Sequence, residues 1–422
     1  MKTIFGGWFL VGCTVLALTA AGTFARAQAY TARFLGAGVY GKAINNNGEV
    51  VGVNNNDGHA FSYTTTGDLI DLGTLGGSGS EAFSANDDGQ IVGASEYTTN
   101  GAVHAFSYTT RGGMVDLGTL NGSQSAALGI NNYGEIVGNS DASNGIHAFS
   151  YTGTGGMVDL GTFLGTDSEV DSINDEGLII GYYDPDPYYI WVHAFSYTAE
   201  SGMVDLGTLD GLASLARAVN DSGEIVGSLS VWGILGTDPH AFSYTASDGM
   251  VDLGTLGGWK SEALGINNHG EIVGWSSTTT NAEPTDAFLY LDGVMVDLNS
   301  LIPPGSGIYL TNAVAINNNG QIVANGFLDG TNGAFLLTPS LPCPAILNNA
   351  TNFGLQADGF GFSVFWPTNG SLVVQACTSL ANPTWQPLQT NLLRAGNGVG
   401  TFTDLQWSNY PARFYRIISF SN

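Results

Sequence analysis

Positive charge is scarce in this chain. Ten lysines and arginines stand against 36 aspartates and glutamates in 422 residues, a formal charge of −26. Such a surface repels nucleic acid and anionic lipid and favours solubility. Cysteine is scarcer still, with 3 copies. No segment beyond the N-terminal region has the ~20 consecutive apolar residues of a membrane helix. Gly-x-Ser-x-Gly, phosphate-loop and His-Glu-x-x-His motifs are absent, as is a 12-residue calcium loop with its distal Glu. What is abundant is glycine, 61 copies, beside 43% hydrophobic residues. That content can bury a large core and excludes a disordered chain.

Residues 1–27 read as a secretory signal. Lys2 is the positive start, Ile4 to Leu18 the apolar stretch, and Ala25-Arg26-Ala27 a small-x-small cleavage site. Cleavage there would remove Lys2 and Arg26 and no acid, leaving 8 basic and 36 acidic residues and a charge of −28. An alternative is a lipoprotein anchored at Cys13, because Leu10-Val11-Gly12-Cys13 resembles a lipoprotein box. The expected location is secreted or extracellular, with the cell surface or periplasm also open.

A repeat organises the rest. Phe61, Phe106, Phe149, Phe195, Phe242, Phe288 and Phe335 hold one place in successive units, at spacings of 45, 43, 46, 47, 46 and 47 residues. A period near 45 with strand-like alternation points to a propeller blade of four antiparallel strands. In the third unit these are Ala127 to Asn131, Glu135 to Gly138, His147 to Thr152 and Met157 to Gly161. The first-hairpin turn occurs seven times, with Gly48, Gly89, Gly134, Gly177, Gly223, Gly270 and Gly320. The fourth-strand motif occurs only six times, around Asp71, Asp116, Asp159, Asp205, Asp252 and Asp297. Thr31 to Gly36 has the same strand-then-Gly form, so the N-terminal strand is expected to complete the seventh blade and close the ring.

His-Ala-Phe, Val-Asp-Leu-Gly and the Ile130 to Gly138 pattern resemble the HAF repeat of secreted bacterial proteins over about residues 36–338. The resemblance implies an exported repeat protein and little about activity. Unit six departs from it with Asp286 in place of His, and unit seven with Gly333. After Leu341-Pro342-Cys343-Pro344, short apolar runs separated by turns suggest a small β-sandwich over 341–422. Those runs are similar to a C-terminal module of large secreted bacterial proteins. Cys343 and Cys377 are the pair left after cleavage, and in an exported protein they predict a disulfide. The fold class is therefore all-β: a seven-bladed β-propeller over 28–340, closed by an N-terminal strand and followed by a small β-sandwich domain.

His59, His104, His147, His193 and His240 share one repeat position, but a blade separates each from the next. They cannot converge on zinc at ~2.1 Å, so they read as recurrent hydrogen bonds near a strand start. The repeated Asp residues read as caps or hydrogen bonds. No catalytic residue, cofactor or metal is expected. The departure from repetition is aromatic: Tyr182, Tyr183, Tyr189, Trp191, Trp232, Trp259 and Trp275 fall after the second strands of units four to six or in the crossing between blades. In a four-stranded blade both kinds of connection emerge on one face. These residues are candidate ligand contacts for a glycan or an extracellular protein, or else they pack loops. The expected function is a non-enzymatic binding or structural protein. The alternative is a polysaccharide-active enzyme using acidic residues in a top-face cleft, which a converging pocket with perturbed carboxylates would favour. The oligomeric state is left open, and a monomer is compatible with the pattern.

Overall fold

The computed structural model describes residues 30–340 except 65, 98–100, 144, 163–166, 185–191, 210–212, 234–235, 280–284 and 292. Beyond 340 it describes strands alone. One compact unit spans Thr31–Thr338, and the chain from Pro339 onward belongs to another. The first unit is seven four-stranded sheets, and among the described residues the one helical element is a short 3-10 turn at Leu298–Leu301.

Blade three shows how the repeat folds. Its strands are Ser125–Ile130, Ile136–Ala142, Gly145–Thr152 and Gly156–Gly161, each antiparallel to the next. The first hairpin turns on Gly134, whose φ of +78° suits a residue without Cβ. Across the hairpin, a Cβ on Gly138 would lie 2.0 Å from the Ala126 carbonyl oxygen. Glycine is therefore required where the second strand crosses the first. There the first strand carries a bulge, and Leu128 is the extra residue.

Blades pack face to face through their alternate apolar residues. Val137 and Ala148 of blade three meet Val170, Ile173, Ile179 and Phe195 of blade four. All seven repeated phenylalanines are buried to within 1% of their surface. A serine at the start of the first strand latches the interfaces that lead into blades two, three, five and six. Ser125 Oγ accepts the Ala105 N–H at 2.8 Å and donates to the Gly118 carbonyl at 2.6 Å, and Ser80, Ser214 and Ser261 repeat the pattern.

Ring closure follows the expected route. Tyr30–Ala37 is the outermost strand of blade seven, beside Thr331–Pro339, Ile322–Leu328 and Ile308–Ile316. The seam also explains a departure from the repeat. Phe34 occupies the place of the repeated Asp, and its ring lies 5.1 Å from that of Phe335. A Cβ on Gly333, in the place of the repeated His, would lie 2.6 Å from the Phe34 ring and 2.2 Å from the Gly36 carbonyl oxygen. A His–Asp pair has been exchanged for a Gly–Phe pair.

Beyond 340, Gly359–Phe365 pairs with Ala345–Leu347, Phe353–Gln356 and Val399–Asp404. Ser371–Cys377 pairs with Gln386–Leu392 and Phe414–Phe420. The expected signal segment, Cys13 and Cys343 lie outside the described residues, as does the Cys377 side chain. Among the described residues no helix is long and apolar enough to cross a membrane.

Candidate functional site

The first strand of every blade lines a central channel. Its lower end carries the first-hairpin turns, and its upper end carries the connections between second and third strands. The lower mouth is closed by asparagines. Asn45, Asn86, Asn131, Asn174, Asn220, Asn267 and Asn317 each donate Nδ2 to the backbone carbonyl of the same asparagine one blade on, at 2.9–3.3 Å, and Asn317 returns to Asn45. The following residue makes a second ring. Its backbone N–H donates to the side-chain oxygen of its counterpart in the next blade, at 2.7–3.1 Å, through Asn46, Asp87, Asn132, Asp175, Asp221, Asn268 and Asn318. The sequence shows these residues only as turn formers. The rings join the blades and spend their polar groups on one another.

The repeated His and Asp prove to be each other's partners. His59, His104, His147, His193 and His240 place Nδ1 2.9–3.2 Å from Asp71, Asp116, Asp159, Asp205 and Asp252 on the outer strand. Each of Asp71, Asp116, Asp159 and Asp252 also accepts the N–H of the glycine two residues on, as does Asp205. Blade six lacks the His. There Tyr309 Oη donates to Asp286 Oδ1 at 2.5 Å. Burial raises the Asp297 carboxyl above its ordinary range, with the Asp286 charge adding to the effect. Among the described residues, Asp57, His59 and Asp71 are the one group with metal-holding spacing. Their lone pairs already serve the His59 and Gly73 N–H groups and the Asn54 amide.

The channel wall becomes chemically distinct across blades four to six. The bulge residue is Leu128 in blade three, but Asp171 in blade four and Arg217 in blade five. Arg217 spans its neighbours: Nε donates to Glu262 Oε1 of blade six at 2.8 Å, and NH1 lies 3.6 Å from Asp171 Oδ1. Glu169 and Glu262 sit at equivalent places, the second residue of their first strands. Each is met by an aromatic donor from the second strand of its own blade. Tyr182 Oη donates to Glu169 at 2.7 Å, and Trp275 Nε1 to Glu262 at 3.2 Å. The wall is thus arranged about Arg217, with a carboxylate and an aromatic on either side.

Burial drives the electrostatics here. It pushes the Asp171 carboxyl up to about 7, against the pull of Arg217 and with help from Glu169 and Glu262. Asp171 Oδ2 is sealed from solvent and has no hydrogen-bond partner among the described residues. Tyr182 is raised above its ordinary value, first by burial and then by Glu169. Arg217 is held charged: burial disfavours the cation, but Asp171 and Glu262 outweigh it. Across the channel, Lys42 pairs with Glu81 at 2.8 Å.

Beside Trp275 the upper mouth opens into a cavity of 590 Å³. It stands over blade six, between the long hairpins of blades five (Ile225–Gly233 with Gly236–Thr245) and seven (Ile322–Leu328 with Thr331–Pro339). Trp275 and Lys260 come from blade six, Pro239 from blade five, Phe327 and Asn312 from blade seven, and Tyr40 from blade one. Lys260 Nζ is 3.7 Å from Asp238.

The aromatic set anticipated from sequence is only partly gathered here. Trp275 lines the cavity and Tyr182 lies on the channel wall. Both are in strands rather than loops, because the second strand continues past its glycine and pairs them opposite Glu262 and Glu169. Trp232 is also a strand residue, opposite Thr237, and its side chain is not described. Tyr183 alternates to the other side of its strand and is buried at 3% exposure. Its Oη reaches Asp205 at 3.1 Å, its ring meets His193 edge-on at 5.8 Å, and burial with the Asp205 charge pushes it up to about 12. It packs the His193–Asp205 pair. Trp259 is half-buried in the crossing into blade six, its N–H on Ser277 Oγ. Tyr189 and Trp191 lie outside the described residues.

Among solved structures, the chain is similar to virginiamycin B lyase from Staphylococcus aureus, at 8% identity and TM-score 0.48 over 73% of this chain and 99% of that one. It is also similar to TolB from Acinetobacter baumannii, at 14% and 0.40 over 70% and 64%. A gluconolactonase from Xanthomonas campestris matches at 10% and 0.38 over 74% and 91%. The match spans less than two thirds of the TolB chain. These are distant likenesses, and no activity passes from them to this chain. No family model matches the chain, and no curated protein matches it.

Proposed function

We propose that this protein is an exported binding propeller of the HAF-repeat kind that holds a neutral or cationic glycan at the upper mouth of its channel. The observation that supports this most is the wall about Arg217, with Glu169 and Tyr182 on one side and Glu262 and Trp275 on the other. Carboxylates accept from sugar hydroxyls, the guanidinium donates to them, and aromatic faces stack on sugar rings. The adjoining 590 Å³ cavity has the volume of a small-ligand site. The −26 charge opposes an anionic glycan. In this reading Tyr189, Trp191, Trp232 and Trp259 widen the contact surface, the C-terminal strands pack as a sandwich, and Cys343 is joined to Cys377. The test is a glycan array on the purified protein, then titration of the strongest hit against Trp275→Ala. Affinity should fall about tenfold or more at an unchanged melting temperature. Unchanged affinity would refute the site.

One observation favours a second reading, a polysaccharide-active enzyme. With its carboxyl raised to about 7, Asp171 holds a proton near neutrality, as a general acid must. Release of reducing ends from an array hit, lost in Asp171→Asn, would establish the enzyme. Intact glycan after prolonged incubation would leave the binding reading in place.

A further inference from the structure

The channel wall of blades four to six is short of positive charge. Glu169, Asp171 and Glu262 face one guanidinium, Arg217. Arg217 is committed to Glu262 through its 2.8 Å bond, while its approach to Asp171 is 3.6 Å, beyond hydrogen-bond range. Asp171 Oδ2 has no donor at all among the described residues, and the one donor given to Glu169 is Tyr182 Oη. A carboxylate set so far out of water is normally given donors. The other cations nearby are already engaged: Lys42 is held by Glu81 at 2.8 Å on the far wall, and Lys260 faces Asp238 at the mouth. Toward blade three, Ala126 and Leu128 bring no charge.

Asp171 Oδ2 itself is sealed, but the rest of the side chain keeps 21% of its surface open, and it is there that a ligand would reach it. Glu169 and Asp171 share the channel side of one strand, because Val170 between them is buried in the blade interface. A group with several N–H donors and one positive charge would serve Glu169 and the open part of the Asp171 carboxylate together.

We propose that this wall recognises a protonated primary amine, and hence that the glycan held at the channel mouth is an amino sugar with its nitrogen unacylated, set against Glu169 and Asp171 while its ring lies toward Trp275. An ammonium offers three donors and no acceptor, the complement of two under-supplied carboxylates. A neutral hydroxyl in its place forms weaker bonds, and an acetamide adds bulk while removing the charge. The raised Asp171 carboxyl accords with this: burial lifts it, with Glu169 and Glu262 adding to the effect, and an ammonium beside it would favour the ionised form.

The proposal rests on the glycan reading above, and three probes separate the two. Calorimetric titration at about pH 7, where an amine is still largely protonated, would use cellobiose, the β-1,4 dimer of glucosamine, and its di-N-acetyl form. The glucosamine dimer should bind about tenfold to a hundredfold more tightly than cellobiose, the acetylated dimer no better than cellobiose. Equal affinities for the amine and cellobiose would overturn the amine site and leave glycan binding standing. No binding of any probe would overturn both. Because an acidic protein attracts cations generally, Glu169→Gln/Asp171→Asn is compared with Asp248→Asn, in an exposed turn. Loss of the preference in the first variant alone supports the site. Loss in neither, or in both, reduces the effect to net charge and overturns it.

Discussion

Replacing Asn174 by alanine tests the closure of the ring. The side chain is 5% exposed and makes two bonds: Nδ2 donates to the Asn220 carbonyl at 2.9 Å, and Oδ1 accepts the Leu178 N–H at 2.8 Å. Alanine removes both and leaves a carbonyl and an amide without partners. Each made bond contributes about 1 kcal/mol net, and each stranded buried partner costs about 1–3 kcal/mol. Asn174 keeps 5% of its surface exposed, so the sum is taken near ~2–4 kcal/mol rather than at the upper limit. Urea unfolding of Asn174→Ala should show that loss with an unchanged slope, since the same surface is exposed. Asn317→Ala, at the seam between the last blade and the first, breaks the corresponding 2.9 Å bond to Asn45 and should lose a similar amount. A loss below about 1 kcal/mol at both positions would show that the ring is decoration and that blade packing alone closes the propeller.

Other outcomes follow from the same structure. Phe149→Ala, at a fully buried repeat position, should cost about 3–5 kcal/mol in denaturant, and a loss under ~1 kcal/mol would contradict its burial. Deleting Tyr30 to Ala37 leaves blade seven with three strands and should lower the melting temperature sharply; an unchanged transition would refute closure by that strand. His240 is raised by its bond to Asp252, so the pair's contribution is fully present below the ordinary histidine range and is lost as pH rises through the folded value. Wild type should therefore lose stability relative to His240→Ala between about pH 5.5 and pH 8.5, and a constant difference would contradict the pairing. Asp171 is an acid raised by burial, so ionising it destabilises the fold. Asp171→Asn should gain stability over wild type at about pH 8 and not at about pH 4, and a reversed order would contradict its burial.

The blade plan was legible because each blade is short-range: alternation, a glycine turn and a 45-residue period all lie within one unit. The seam was legible from a count, one fourth strand too few. The exchange of His–Asp for Gly–Phe at Gly333 and Phe34 required knowing that these positions touch. The asparagine rings escaped for a related reason. Asn45 bonds to Asn86 and Asn317 to Asn45, contacts 41 and 272 residues apart, and within a unit the same residue reads only as a turn. The candidate site was half legible. Trp275 and Tyr182 stood out as aromatics, but they were assigned to loops because a strand was expected to end at its glycine. Arg217 carried a signal that went unused: in a chain with so few cations it stands at the bulge position where blade three has Leu128.

The most direct test of the central claim observes Trp275 itself. Its indole N–H bonds to Glu262 at 3.2 Å and its ring lines the cavity. In a nitrogen-15 spectrum its Nε1 resonance can be assigned by its absence from Trp275→Phe. On titration with an amino-sugar or neutral oligosaccharide, that resonance should shift saturably. Saturable binding that leaves the Trp275 resonance unmoved would place the ligand elsewhere on the molecule and contradict the account.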